Sequence, residues 1–112
     1  MVYDFACKIK NVKGQGGLDD ETLSGIVYQV NANYDVSLEF KFVLPSTDQP
    51  REFLVKAAAS VSSMPGLHNR ELETAVEAFK SYLEEIALAI DGEVSKSDGF
   101  YNNTQSFMRL YN

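Results

Sequence analysis

Cys7 and His68 are the side chains best suited to nucleophilic or metal chemistry, and each residue type occurs once in the sequence. A cysteine nucleophile needs a nearby base and a third group that orients that base. Cys7 falls on the apolar side of an alternating segment, where a cysteine is usually an inert part of the core. His68 precedes a helical pattern, so we expect it to cap that helix or to lie on the surface. One cysteine and one histidine do not complete a tetrahedral zinc site without carboxylates. We therefore predict no catalytic residue and no metal site.

A glycine-rich segment at residues 14–17 is a second candidate for chemistry. A phosphate-binding loop of this kind needs a following lysine, but neither GKS nor GKT comes after the glycines. The next charged residues are Asp19, Asp20 and Glu21, which repel phosphate where a helix N-terminus should attract it. These carboxylates also lack the alternate-residue spacing of a calcium loop. We predict no nucleotide or other cofactor and interpret the acidic residues as part of a partner-binding surface.

The formal net charge of −6 is unevenly distributed along the chain. Residues 1–17 carry +2, residues 18–50 carry −5, residues 51–91 carry −3, and residues 92–112 are neutral. Nucleic-acid binding depends on Lys and Arg residues that neutralise phosphates, so the acidic chain predicts no direct nucleic-acid partner. An acidic surface instead favours a protein partner with a basic surface.

The sequence also predicts where the protein works. No apolar run approaches the roughly 18 residues of a membrane span, and the first residues lack the layout of a signal peptide. A single cysteine excludes an internal disulfide framework. We expect a soluble cytoplasmic protein with no membrane partner.

Residues 92–112 form a C-terminal aromatic tail. Aromatic residues, methionine and arginine are enriched at the centres of protein interfaces. The tail either completes a thin core or binds a partner, and both alternatives stay open. The candidate partner-binding residues are Asp19, Asp20, Glu21, Phe100, Tyr101, Phe107, Met108, Arg109 and Tyr111.

The elements that must position these residues are predicted from hydrophobic periodicity. Alternation predicts four antiparallel strands, at 2–11, 25–32, 35–44 and 52–61. Because every even position from 28 to 44 is apolar, we predict a hairpin whose loop has an odd number of residues, around 31–35, and a bulged or bent single strand is the alternative. Apolar residues spaced by three and four predict one long helix at 69–91. The predicted fold class is α+β: residues 1–112 form a single domain in which one helix packs on one face of an antiparallel sheet of about four strands.

A helix is the alternative for the segment before residue 35. Apolar residues with helical spacing occur at Leu23, Ile26, Val27, Val30 and Tyr34, and Asp19 or Asp20 is able to cap such a helix. The chain would then have the ferredoxin-like order βαββαβ. Gly25, the β-branched residues and the strict alternation favour the strand.

The segment Ile26–Ala32, with the sequence IVYQVNA, is similar to small phage-encoded proteins of unassigned role. The resemblance covers a minor part of the chain and contains no diagnostic motif. It implies a phage or mobile-element origin and no particular family.

These observations predict a non-enzymatic protein-interaction module, which is a small accessory, structural or inhibitory protein that acts by surface complementarity. In one version it is an inhibitor whose carboxylates at 19–21 and 71–85 occupy a basic groove of the partner. A self-assembling, homo-oligomeric structural subunit is one alternative. The other is a small-ligand-binding domain with a pocket between helix and sheet, lined by Tyr28, Tyr34, Phe40, Phe79 and Tyr82.

Overall fold

A computed structural model of the chain describes residues 1–13, 18–45 and 51–112, and within these ranges the side chains of all but residues 40–45. Its elements are, in order, β1 (Val2–Lys10), α1 (Asp20–Tyr34), β2 (Leu38–Pro45), β3 (Phe53–Ser60), α2 (His68–Ile90), β4 (Glu93–Asn102) and β5 (Phe107–Arg109). The strands form one antiparallel sheet with the order β2-β3-β1-β4-β5. The α+β class is confirmed, with five strands and two helices in place of about four strands and one helix. Through β4 the elements follow the alternative order, βαββαβ.

The strand predicted at 25–32 and the hairpin predicted around 31–35 are wrong, because these residues belong to α1 and its C-terminal end. Helix α1 begins directly after Asp19, which is its N-cap residue. The Oδ1 of Asp19 accepts a hydrogen bond from the backbone N–H of Thr22 at 2.7 Å, which satisfies one of the unpaired donors of the first turn. Two further carboxylates in that turn lie near the positive end of the helix dipole.

Burial along α1 follows the helical period. Val30 is buried, whereas Tyr28 is 77% exposed although both occupy even positions of the alternating run. The side chain of Asn31 then connects the helix to β2, because its amide accepts from the N–H of Leu38 at 3.1 Å and donates to the carbonyl of Leu38 at 3.4 Å. The chain therefore enters the sheet only at Leu38.

The core lies between α2 and the sheet. Helix α2 packs across β1, β3 and β4, and α1 packs beside α2. Phe5 and Ile9 of β1 are fully buried against Phe79 and Ile86 of α2, and the rings of Phe5 and Phe79 lie 5.3 Å apart. Each such side chain stabilises the fold by about 1.5–3 kcal/mol. The opposite side of the sheet is here called the open face.

Residues 92–112, predicted as a tail, supply strands β4 and β5 of the same sheet. Strand β4 contains a bulge, in which four residues (96–99) lie opposite the single residue Cys7 of β1. This bulge brings Gly99 so close to the core that a Cβ there would lie 3.2 Å from the Sγ of Cys7 and 3.1 Å from the Cβ of Leu110. Within the described residues, neither helix has the length and apolarity that a bilayer crossing requires.

Candidate interaction surface

The acidic residues predicted to bind a partner lie at the start of α1. Asp19 is its N-cap residue, and Asp20 and Glu21 occupy the first turn, all three exposed. The hydrogen bond from the backbone of Thr22 holds the pKa of Asp19 below its usual value. Asp19 therefore has a structural role as the N-cap, and the electrostatic role expected for it stays a prediction.

Most of the negative charge lies in the helical layer. Residues 18–37 and 62–92, which contain both helices, hold ten carboxylates against Arg70 and Lys80, a net charge of −8. Because the chain total is −6, all other residues together carry +2. Tyr34 and Thr74 line one crevice, so the C-terminal end of α1 lies beside the N-terminal end of α2. The acidic first turn of α1 consequently lies toward the C-terminal half of α2.

The structure divides the aromatic residues of 92–112 between two faces. Phe100 and Phe107 lie on the open face with their rings stacked 5.1 Å apart, and Phe107 is 65% exposed. Tyr101 turns to the other face, where its ring lies 5.6 Å from that of Phe5. Tyr111 is partly buried, and the Nζ of Lys80 lies 5.0 Å from the centre of its ring. Tyr101 and Tyr111 therefore extend the core, whereas the phenylalanine pair is accessible, and partner binding by the tail stays a prediction.

The remaining predicted residues belong to β5. Met108 is 48% exposed, and Arg109 is exposed with its Nη1 donating to the carbonyl of Ser97 at 3.0 Å. Phe100, Phe107 and Arg109 thus share the open face at one edge of the sheet.

One feature that no local sequence pattern predicts is the meeting of three segments that contain no charged side chain. Residues 1–3, 61–69 and 103–108, here called the uncharged end, contain no Asp, Glu, Lys or Arg. The Met1 ammonium, which donates to the carbonyl of Val61, and the Glu71 carboxylate, which accepts from the N–H of Ser62, border this region. All three segments contribute to the lining of one crevice of about 570 Å³. Its signal in the sequence is three uncharged stretches, far apart in the chain, which only the fold brings together.

The uncharged end also holds most of the exposed apolar side chains. Eight large apolar residues are exposed in the described part of the chain, and six of them belong to this end: Met1, Val2, Met64, Leu67, Phe107 and Met108. These six include every methionine of the sequence. Methionine is flexible and polarisable, and it is over-represented on surfaces that adapt to a partner.

Tyr3 and His68 form the floor of the crevice at this end. The hydroxyl of the buried Tyr3 lies 3.0 Å from the Nε2 of His68, and the Nδ1 of His68 lies 3.3 Å from the Oδ1 of Asn69. Since that amide oxygen only accepts, Nδ1 donates to it, and in the neutral imidazole Nε2 then accepts from the Tyr3 hydroxyl. His68 is the first residue of α2 and follows an N-cap, Leu67, that makes no side-chain hydrogen bond to the helix. Its side chain therefore orders the crevice rather than capping the helix.

The other residues considered for chemistry are dispersed. Cys7 is fully buried with its Sγ 3.4 Å from the carbonyl of Ser95, and burial raises the pKa of its thiol to about 11. No group of three or more His, Cys, Asp or Glu residues in the described ranges is arranged to hold a metal ion.

The residues predicted to line a ligand pocket do not converge in the part of the chain with described side chains. Phe79 and Tyr82 are fully buried, with their ring centres 6.3 Å apart, whereas Tyr28 is exposed on the surface of α1. Tyr34 is partly buried at the end of α1. The side chain of Phe40 lies outside the described side chains.

Comparison with known proteins gives no match to a family model, to a curated protein or to a solved structure.

Proposed function

We propose that this chain is a non-enzymatic protein-interaction module whose partner docks on the uncharged end and on the adjacent Phe100–Phe107 pair. The observation that carries the proposal is that three segments without charged side chains meet and hold six of the eight exposed large apolar residues of the described chain. The centres of protein interfaces are depleted of charged residues and enriched in aromatic residues and methionine. Clustered apolar exposure of this kind is typical of an interaction site.

The local geometry supports a binding site with Phe107 as its central apolar contact and polar groups beside it. Phe107 projects from a short edge strand and already rests on Phe100, so its ring is held in place before a partner binds. Arg109 on the same face is of a residue type enriched among binding hot spots. The crevice beside them, with uncharged polar side chains such as Asn103 and Gln105 in its lining, suits a neutral segment of a partner.

The acidic helical layer supports a second candidate function, that of an inhibitor that covers a basic groove. Its net charge of −8 would complement such a groove over the length of both helices. Binding of this kind weakens as salt rises, because exposed charges are screened. Binding through the uncharged end does not weaken in this way, which separates the two candidates.

A cytoplasmic setting is part of the proposal. The single cysteine supports it, because Cys7 has no other cysteine in the chain to pair with and a reducing compartment keeps such a thiol free.

Site-specific photo-crosslinking in the cell that produces the protein tests the proposed surface. We would place p-benzoylphenylalanine at position 107 and, as a matched control, at position 88, because Leu88 is 79% exposed on α2, far along the chain from the uncharged end. The proposal predicts a discrete protein adduct from position 107 and none from position 88. No adduct at 107, or equal adducts at both positions, would contradict it.

A further inference from the structure

The edge of the sheet at β5 presents a short, ordered set of free backbone groups. β5 ends the strand order, and no described strand lies beyond it. The carbonyl of Ser106 and the N–H of Leu110 bond to the β4 side at 3.1 and 2.9 Å. Because such bonds alternate along an antiparallel pair, Met108 also directs its backbone groups to β4. Phe107 and Arg109 therefore direct their N–H and carbonyl groups outward.

We infer that this edge pairs with the same edge of a second copy, in antiparallel orientation, with a local two-fold axis at Met108. In this register Phe107 lies opposite the partner's Arg109, and the two residues exchange both backbone hydrogen bonds. The symmetry repeats the pair on the other side of the axis. The inference rests on the proposed function, because it names a second copy of this chain as the protein that docks.

The side chains fit this register on both faces of the sheet. On the open face each Phe107 ring lies beside the partner's Arg109, at the Cα separation of about 5.5 Å that hydrogen-bonded pairs have. The Arg109 side chain is long enough to bring its guanidinium within the roughly 6 Å of a cation–π contact with that ring, and it would then exchange the intrachain bond from Nη1 to the carbonyl of Ser97 for the contact with the partner. On the other face Met108 lies opposite the partner's Met108, so two half-exposed apolar side chains cover each other.

Charge opposes a second copy less at this edge than elsewhere on the molecule. Two chains of net charge −6 repel each other. The helical layers, each with a net charge of −8, would repel a second copy that approached in most orientations. Residues 103–108 carry no charged side chain, and Arg109 faces Phe107 rather than another arginine in the proposed register. The edge of β5 therefore allows two acidic copies to meet without opposed like charges. Since the remaining long-range repulsion is screened by ions, dimerisation should strengthen as salt rises.

Charge substitutions at the axis test the register by sedimentation equilibrium. The wild-type chain should approach twice its mass of 12.5 kDa as concentration rises. Met108→Glu and Met108→Lys each place like charges face to face, so each variant should raise the dissociation constant at least about tenfold, or 1.4 kcal/mol. An equimolar mixture of the two variants should restore the dimer. Leu88→Glu and Leu88→Lys are the matched controls and should leave the dimer unchanged.

A disulfide at the axis gives a second readout. Facing residues at a non-hydrogen-bonded position have Cα atoms about 4.5 Å apart, within the range that a disulfide spans. Met108→Cys should therefore give a covalent dimer on mild oxidation, whereas Leu88→Cys should not. Cys7 is fully buried and should not compete.

The results separate this inference from the proposed function. A wild-type chain that stays monomeric at millimolar concentration, or charge variants whose mixture stays monomeric, would overturn the dimer. If a monomeric chain still gives an adduct with a different protein at position 107, the dimer fails and the proposed function stands. A dimer whose only adduct at position 107 is with itself supports both.

Discussion

Replacing Phe107 by alanine should leave the monomer folded while removing the centre of the proposed interface. A phenylalanine side chain has about 200 Å² of surface. Because Phe107 is 65% exposed, about a third of this area, roughly 70 Å², is covered within one chain. At about 25 cal/mol per Å² the substitution should lower the free energy of unfolding by about 2 kcal/mol at most.

Phe79→Ala is the core variant with which Phe107→Ala is compared. Phe79 is fully buried and contacts the rings of Phe5 and Tyr82 at 5.3 and 6.3 Å. Phe79→Ala removes these contacts and leaves a cavity, so it should lower the free energy of unfolding by about 3–5 kcal/mol.

Urea unfolding followed by circular dichroism measures both losses, at a protein concentration low enough to keep the wild-type chain monomeric. The association of the same two variants is then measured by sedimentation equilibrium. Phe107→Ala should lose association and keep most of its stability. If Phe107→Ala is as destabilised as Phe79→Ala, then Phe107 belongs to the core and the interface reasoning is refuted.

Three further substitutions test other parts of the fold. The buried hydroxyl of Tyr111 has no hydrogen-bond partner in the described structure, so Tyr111→Phe should raise the free energy of unfolding in urea by about 1 kcal/mol. A Cβ at Gly92 would lie 2.7 Å from the Cγ2 of Ile9, so Gly92→Ala should lower the thermal midpoint, at a cost of about 1–3 kcal/mol; an unchanged midpoint would contradict this packing. The Ser95 hydroxyl, followed by the Lys10 ammonium, holds the pKa of Asp98 below its usual value. The stability that Asp98 contributes is therefore present above its unfolded-state pKa and lost as pH falls through the folded pKa, and Asp98→Asn should flatten the acid side of a stability–pH curve.

Secondary structure was predictable from the sequence wherever a segment showed only one hydrophobic period, either that of a strand or that of a helix. β1, β3 and α2 were predicted within two residues at each end, because alternation or a single apolar stripe was the only pattern in those segments. The residues of α1 fit both the strand period and the helical period. The N-cap at Asp19 and the burial of Val30 show that the segment is a helix. Strand β4 was not predicted, because the bulge at 96–99 interrupts the alternation of apolar and polar residues along it.

The candidate site was predictable in its residue types and not in its geometry. Phe107 and Met108 were expected to bind a partner, and both are exposed. Tyr101, one residue after Phe100, turns into the core because neighbouring residues of a strand face opposite sides. The uncharged end joins residues more than a hundred positions apart in the chain, which no local pattern reveals.

The methyl signals of the three methionines test the proposed surface most directly, because Met1, Met64 and Met108 are each about half exposed and all belong to the uncharged end. Protein labelled with ¹³C at the methionine methyl groups and at the methyl groups of Leu88 is compared, by nuclear magnetic resonance, between dilute purified solution and the producing cell. The three methionine signals should shift or broaden together in the cell, while those of Leu88 should change much less. Methionine signals that match the dilute protein, or a larger change at Leu88, would contradict the proposed surface.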